Sequence, residues 1–326
     1  MTRSHDLTPI DLTGLTTVSI AERKSLVSTR DFARPWEPGG GFADFLDRLP
    51  AILAGADLRG LIAAVADAHL GERSVILAMG AHVIKVGLSP VIIDLMERGI
   101  ITAVALNGAG IIHDYELALT GTTSEDVAGS LSDGRFGVTR ETGEGLSAAI
   151  RRAGAEEIGL GRAVGRSIRE AGLPWEPASI LAAGDRLGIP VTVHVAMGTD
   201  VIHLHPDFPA GLAGAASHLD FRIFASAVAT LTEGVYLNVG SAVILPEVFL
   251  KALTLVRNRG HRVERFTAAN LDFIRHYRPL TNVVGRPTAD GGRGYNLVGH
   301  HEILIPLLAA GVIERVAGAD SRDPST

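Results

Sequence analysis

Between Phe42 and His69 the apolar residues Phe45, Leu46, Leu49, Ile52, Leu53, Leu61, Ile62 and Val65 recur at helical spacing. A break near Gly55 to Gly60 makes two helices the expected outcome. From Ser74 the pattern changes. Short apolar runs at 74 to 78, 103 to 106, 189 to 194, 234 to 239 and 262 to 266 read as strands. The intervening helical stretches run from Gly80 to Met96, from Gly110 onward, and over 145 to 171, 220 to 232 and 245 to 258. A last helix spans 301 to 310 and is expected to stop at Gly311. Alternation of this kind is the signature of βαβ units. The expected fold class is therefore α/β, a Rossmann-like doubly wound, mostly parallel sheet with helices on both faces and about six or seven strands.

The edges of the chain read differently. Residues 1 to 41 mix charge with turn formers and close in Pro38-Gly39-Gly40-Gly41, so they are expected to form an N-terminal arm. Residues 42 to 316 are expected to be a single α/β domain, because no linker composition or repeat divides them, and 317 to 326 a polar tail. Residues 121 to 146, rich in Gly, Ser, Thr and acids, suggest a mobile flap over an active site. The stretch from 270 to 294 reads as irregular.

Composition narrows the classes of function. With 46% hydrophobic and 20% charged residues the chain lies in the ordinary globular range. A net charge of -6 offers no general attraction to nucleic acid or to an anionic membrane. Zero cysteines exclude disulfides, thiolate metal sites and cysteine nucleophiles. The N-terminal residues lack the apolar core of a signal peptide, and His82 and Lys85 interrupt the most apolar later stretch. A cytoplasmic protein with a small-molecule substrate is the expectation.

In an open parallel sheet, ligands collect beyond the carboxyl ends of the strands. Two strand-to-helix turns there carry glycines: Gly80-Ala81-His82, leading to Lys85, and Asn107-Gly108-Ala109-Gly110. Lys85 and His82 stand in an apolar segment, where a cation or imidazole needs a partner or a ligand. The alternative for Lys85 is a structural ion pair. His113 and Asp114 open the helix after the second turn, suited to acid-base work, although an aspartate in a first helical turn also answers the helix dipole. His203 and His205 point to the same side of an extended segment; a loop cap is the bland alternative to metal binding, and no metal is assigned.

These residues resemble deoxyhypusine synthase. Gly80 to Gly87 resembles the family's first cofactor loop, Asn107-Gly108-Ala109-Gly110 stands at its Thr-Ala-Gly-Gly turn, and Gly188 to Val191, Val239-Gly240-Ser241 and Thr267-Ala268 fall at corresponding places. The resemblance implies NAD as cofactor and a homotetramer. With it, cofactor binding is expected at Gly80, Ala81, His82, Asn107, Gly108, Gly110, Gly240, Thr267, Ala268 and His300, while the chemistry of the side chains themselves makes His113, Asp114 and Lys85 the catalytic candidates.

The departures matter equally. Ile112 and His113 replace two family glutamates, a residue near Leu245 replaces a histidine, and no lysine lies between Asn282 and Gly299 to form the covalent imine. Arg286 and Arg293 cannot substitute, because a guanidinium stays protonated. The expected function is thus a deoxyhypusine synthase-like NAD-binding enzyme, transferase or oxidoreductase, acting on a small anionic substrate, and not a true deoxyhypusine synthase. A homospermidine synthase-like aminobutyl transferase and a non-catalytic nucleotide- or metabolite-binding protein stay open as alternatives.

Overall fold

Six short segments pair in parallel: β1 (Val75–Met79), β2 (Ala103–Asn107), β3 (Val191–His194), β4 (Val235–Val239), β5 (Thr267–Asp272) and β6 (Arg293–Val298). Their order across the sheet is β3-β2-β1-β4-β5-β6. This is a Rossmann-like α/β fold, and the computed structural model describes residues 7 to 320 of it. The helices are α1 (Phe42–Arg48), α2 (Leu53–Leu70), α3 (His82–Lys85), α4 (Ser89–Glu97), α5 (Gly108–Thr120), α6 (Val127–Leu131), α7 (Arg140–Glu156), α8 (Leu160–Glu170), α9 (Ile180–Leu187), α10 (Ala210–Ala229), α11 (Ile244–Asn258), α12 (Tyr277–Pro279) and α13 (His301–Asp320).

Both faces of the sheet are covered, and the central strands accordingly read as unbroken apolar runs. Leu77, Met79, Leu106, Leu237 and Leu271 belong to one core with residues of α2, α4, α8, α9 and α13. Ile76, Ala78, Ala105, Tyr236 and Ala268 form the other with α10 and α11, where the rings of Tyr236 and Phe249 stack at 3.7 Å. Near the carboxyl end of that second face three asparagines sit in register. Asn238 donates to Asn270 at 2.8 Å, and Asn270 donates to Asn296 at 3.0 Å, across β4, β5 and β6.

Several boundaries differ from the sequence reading, each for a local reason. The first two helices part at residues 49 to 52, because Pro50 keeps Leu49 extended; Gly55 and Gly60 are helical. The stretch 145 to 171 is two helices, since Glu157 turns left-handed at φ 52°. The segment 262 to 266 is only a lead-in: Arg265, at φ 55°, ends any extended run, and β5 follows it. The span 270 to 294 holds half of β5, then α12 and a π-turn, Leu280–Gly285. Helix α10 begins ten residues earlier than its apolar spacing suggested, at Ala210. Gly311 does not stop the last helix, which continues to Asp320 with Gly311 packed on Ile62. Residues 7 to 40 contain one short helical turn, Thr29–Asp31, and keep apolar side chains such as Leu7, Ile10 and Leu26 exposed. Among the described residues no helix is long and apolar enough to cross a membrane.

One buried carboxylate ties the layers together. Asp220 of α10 accepts hydrogen bonds from the backbone of Gly161 at 2.9 Å and Val193 at 2.8 Å, joining the start of α8 to β3. Burial outweighs these bonds and pushes its pKa up to about 7. The folded state therefore binds a proton that the unfolded chain, titrating near about 3.9, has already released. The contribution of Asp220 to stability is then highest below that unfolded value and declines as pH rises to about 7, beyond which it is flat. Asp220→Asn should remove a few kcal/mol of this slope, measured as the difference between wild-type and variant urea midpoints from pH 4 to 8. Parallel curves would exclude Asp220 as its source.

Candidate functional site

The strand order reverses between β1 and β4, and the carboxyl ends of these two strands meet at glycines. Gly80 donates its N–H to Val239 at 2.9 Å, and a side-chain carbon on Gly80 would lie 2.3 Å from the carbonyl oxygen of Gly240. Gly240 is left-handed at φ 62°, and a side chain there would strike the imidazole of His301. Only glycine fits at both positions, which keeps the floor of the crevice down to bare backbone.

Around that floor the strand tips carry flat rings. Phe273, after β5, lies near His82 at 6.1 Å and parallel to His300 at 6.2 Å, while His82 and His301 meet edge to face at 5.5 Å. His301 is buried; its Nε2 donates to the carbonyl of Leu271 at 3.2 Å, which leaves Nδ1 an acceptor with no partner. Burial holds the His301 pKa below its usual range.

A cavity of about 170 Å³ opens beside this crevice over the ends of β2 and β3. Lys85, His113, Glu116, Thr142, Asp200 and His205 line it. The connection from α5 to α7 supplies one wall through Ser124, Glu125, Phe136 and Gly137, so the segment read as a flap lines the pocket.

Within the cavity the polar groups are organised. His113 Nδ1 lies 2.8 Å from Thr123 Oγ1; Thr123 donates to Glu116 Oε2 at 2.5 Å, and Thr142 donates to Glu116 Oε1 at 3.1 Å. Burial, and then the nearby Lys85 charge, lower the His113 pKa to about 4, so the ring is neutral at pH 7. Asp200 is buried and its Oδ2 has no hydrogen-bond partner. Burial raises its pKa, against the opposing effects of His203 and Thr199. Its carboxylate rests on Gly108, where an added side-chain carbon would lie 1.9 Å from Oδ2.

The sequence-predicted residues divide accordingly. Lys85 and His113 share the pocket; Gly80, Ala81, His82, Gly240 and His300 gather at the crevice. Asp114 belongs to neither. It is fully buried and accepts from Ser179 Oγ at 2.5 Å, from the Ile180 N–H at 2.9 Å and from the Leu181 N–H at 3.2 Å, capping α9, with burial raising its pKa to about 6. At the second glycine turn Asn107 caps α5 through the Gly110 N–H, Gly108 makes room for Asp200, and Gly110 lets α5 close onto Leu106. Those three therefore serve contacts within the protein. Thr267 and Ala268 lie at the amino end of β5, the edge opposite the crevice, because β5 starts where the sequence pattern seemed to end.

His203 and His205 do not act as a pair. His203 Nδ1 accepts from the N–H groups of Gly198 and Asp200, fixing a 3₁₀ turn, while His205 reaches the pocket. No cluster of three or more metal-ligating side chains occurs among the described residues.

Comparison with known proteins adds the fold and no more. No family model and no curated protein matches the sequence. Among solved structures, a putative LOR/SDH protein from Methanococcus maripaludis aligns at TM-score 0.52 and 14% identity, over 82% of this chain and 71% of its own. The chain shares its fold. AgrE in ternary complex with ornithine and NAD+ aligns at TM-score 0.52 and 14% identity, over 79% of this chain and 32% of its own. A mutant of AgrE with L-arginine does so at 0.52 and 15%, over 82% and 34%; this chain spans about a third of AgrE. A putative deoxyhypusine synthase from Entamoeba histolytica overlaps at TM-score 0.49 and 9% identity, over 86% of this chain and 96% of its own, a likeness too low to carry an argument.

Proposed function

We propose that this chain is an NAD-dependent enzyme acting on a small zwitterion, a molecule with both a carboxylate and an amine. The observation that carries the reading is one pocket lined by the Lys85 ammonium, the Asp200 carboxylate and the neutral His113 imidazole, beside a glycine-floored switch point. The carboxylate agrees with the anionic group expected from sequence, whereas a substrate with negative charge alone suits this pocket poorly. Glu116, Glu125 and Asp200 would repel it.

The crevice fits a dinucleotide on three counts. Gly80 and Gly240 leave a cradle that any side chain would fill, His301 Nδ1 is an orphaned buried acceptor, and the face of Phe273 and the imidazoles of His82 and His300 offer stacking and anion contacts. Bound there, the nicotinamide supplies a hydride acceptor. Lys85 then holds the substrate carboxylate by a charge-assisted hydrogen bond, and the Asp200 carboxylate offers the amine a counter-charge at the pocket wall. Both oxygens of Glu116 are engaged by threonine hydroxyls, so the amine falls to Asp200. His113, uncharged and in contact with the pocket, takes up the proton released from the substrate.

The fold likeness to AgrE, seen with ornithine and NAD+, supports this reading without naming the substrate. Calorimetric titration tests it. NAD+ should bind, with His82→Ala and His300→Ala each weakening it about 10-fold, roughly 1.4 kcal/mol. With NAD+ present, an amino acid should bind more tightly than the same acid without its amine. Absence of NAD+ binding, or equal affinity for the two acids, would overturn the proposal.

A further inference from the structure

We infer that Thr123 and Glu116 are positioning residues that hold His113 in its Nδ1–H tautomer and so present Nε2 to the pocket as a base. That His113 has a base to offer rests on the proposed reading of the pocket; its tautomer does not. Thr123 has a single O–H, and it points to Glu116 Oε2 at 2.5 Å. Glu116 accepts there, as it accepts from Thr142 through its other oxygen at 3.1 Å. Thr123 Oγ1 therefore faces the imidazole with lone pairs only.

At 2.8 Å two lone pairs would repel, so His113 Nδ1 carries the hydrogen and donates it to Thr123. A neutral imidazole has one N–H, which leaves Nε2 with its lone pair. Among the described residues no group hydrogen-bonds to Nε2, and the ring lines the cavity. A proton taken from a bound molecule arrives at Nε2, and the resulting imidazolium keeps its Nδ1–H bond to Thr123. Rotation of the ring is restrained throughout by that same bond.

The relay draws on three parts of the chain. His113 and Glu116 stand one turn apart on α5, three residues and one helix face. Thr123 comes from the following connection, and Thr142 from the first turn of α7. Seating that connection against α5 is therefore what selects which imidazole nitrogen faces the substrate. Displacing it frees His113 to revert to the Nε2–H form that unconstrained histidine side chains prefer.

Long-range ¹H–¹⁵N correlation spectra of the full chain at pH 7, with His113 assigned by the signal lost in His113→Asn, read the tautomer directly. The wild type should show a protonated Nδ1 and a lone-pair Nε2. Thr123→Ser should preserve that pattern, and Thr123→Val should convert it to the Nε2–H form with the thermal midpoint little changed. A wild type already in the Nε2–H form, or a Thr123→Val spectrum identical to wild type, overturns the inference. The spectra need neither cofactor nor substrate, so failure of the NAD reading leaves this test intact. Where turnover is measured, Thr123→Val should lower kcat about 10- to 100-fold with KM nearly constant; an unchanged kcat would count against the relay.

Discussion

Asp114→Ala should lower the free energy of unfolding by about 2–4 kcal/mol, because three donors that Asp114 satisfies in the interior are left without an acceptor. Those donors are the Ser179 hydroxyl and the Ile180 and Leu181 N–H groups at the start of α9. Ser179 itself caps the Ala182 N–H, so its hydroxyl is oriented from both sides. Loss of such a cap alone costs about 1 kcal/mol. Asp114→Asn keeps one acceptor oxygen and should fall between alanine and wild type. Urea unfolding monitored by circular dichroism measures both. Should Asp114→Ala unfold like wild type yet lose activity, the residue acts in chemistry and its capping role is secondary.

Removing the pocket's cation should have two separate effects. Lys85→Met is expected to raise the KM for a carboxylate-bearing substrate about 10- to 100-fold, the equivalent of roughly 1.5–3 kcal/mol for a charge-assisted hydrogen bond. The same change lifts the lysine's share of the depression on His113, whose pKa of about 4 comes first from burial and then from Lys85. That pKa should therefore rise, though burial keeps it below about 6.5. With the base protonated at higher pH, the acidic limb of a kcat/KM profile should move upward in pH. An NMR titration of His113 reads the shift without turnover. An unmoved His113 together with an unmoved KM would place Lys85 outside the working pocket.

Much of the architecture can be read from the letters because the central strands are buried on both faces and leave continuous apolar runs such as Val75 to Met79. Strand β6 leaves no such run. It is an edge strand with Arg293, Gly294 and Val298 exposed, and only Tyr295 and Leu297 face the core. Strand β5 carries Asn270 at its centre, and a buried amide reads as a loop until its partners Asn238 and Asn296 are known.

The candidate site was legible where a local rule applied and hidden where it depended on distant segments. Lys85 stood out as a cation in an apolar segment, and His113 as an imidazole opening the helix after a glycine-bearing turn. Glu116 carried a signal that helical spacing provides: it lies three residues from His113, on the same face, whereas Asp114, one residue on, must point elsewhere. Asp200 and Thr123 had no such signal. Both come from loops: Thr123 reaches His113, and Asp200 reaches the pocket, its carboxylate lying in the space that Gly108, far away in sequence, leaves.

The row of asparagines across β4, β5 and β6 bears on how the chain avoids misassembly. Shifting any of these three strands by one residue relative to its neighbour would turn its amide to the opposite layer, among aliphatic side chains, and strand the amides that remain. Alanine and leucine runs tolerate slippage; a chain of matched donors and acceptors does not. The half of the sheet that supplies Gly240, Phe273 and His300 thus carries its own alignment key, and the tips of its strands reach the crevice at the same height because their centres can interlock in only one way.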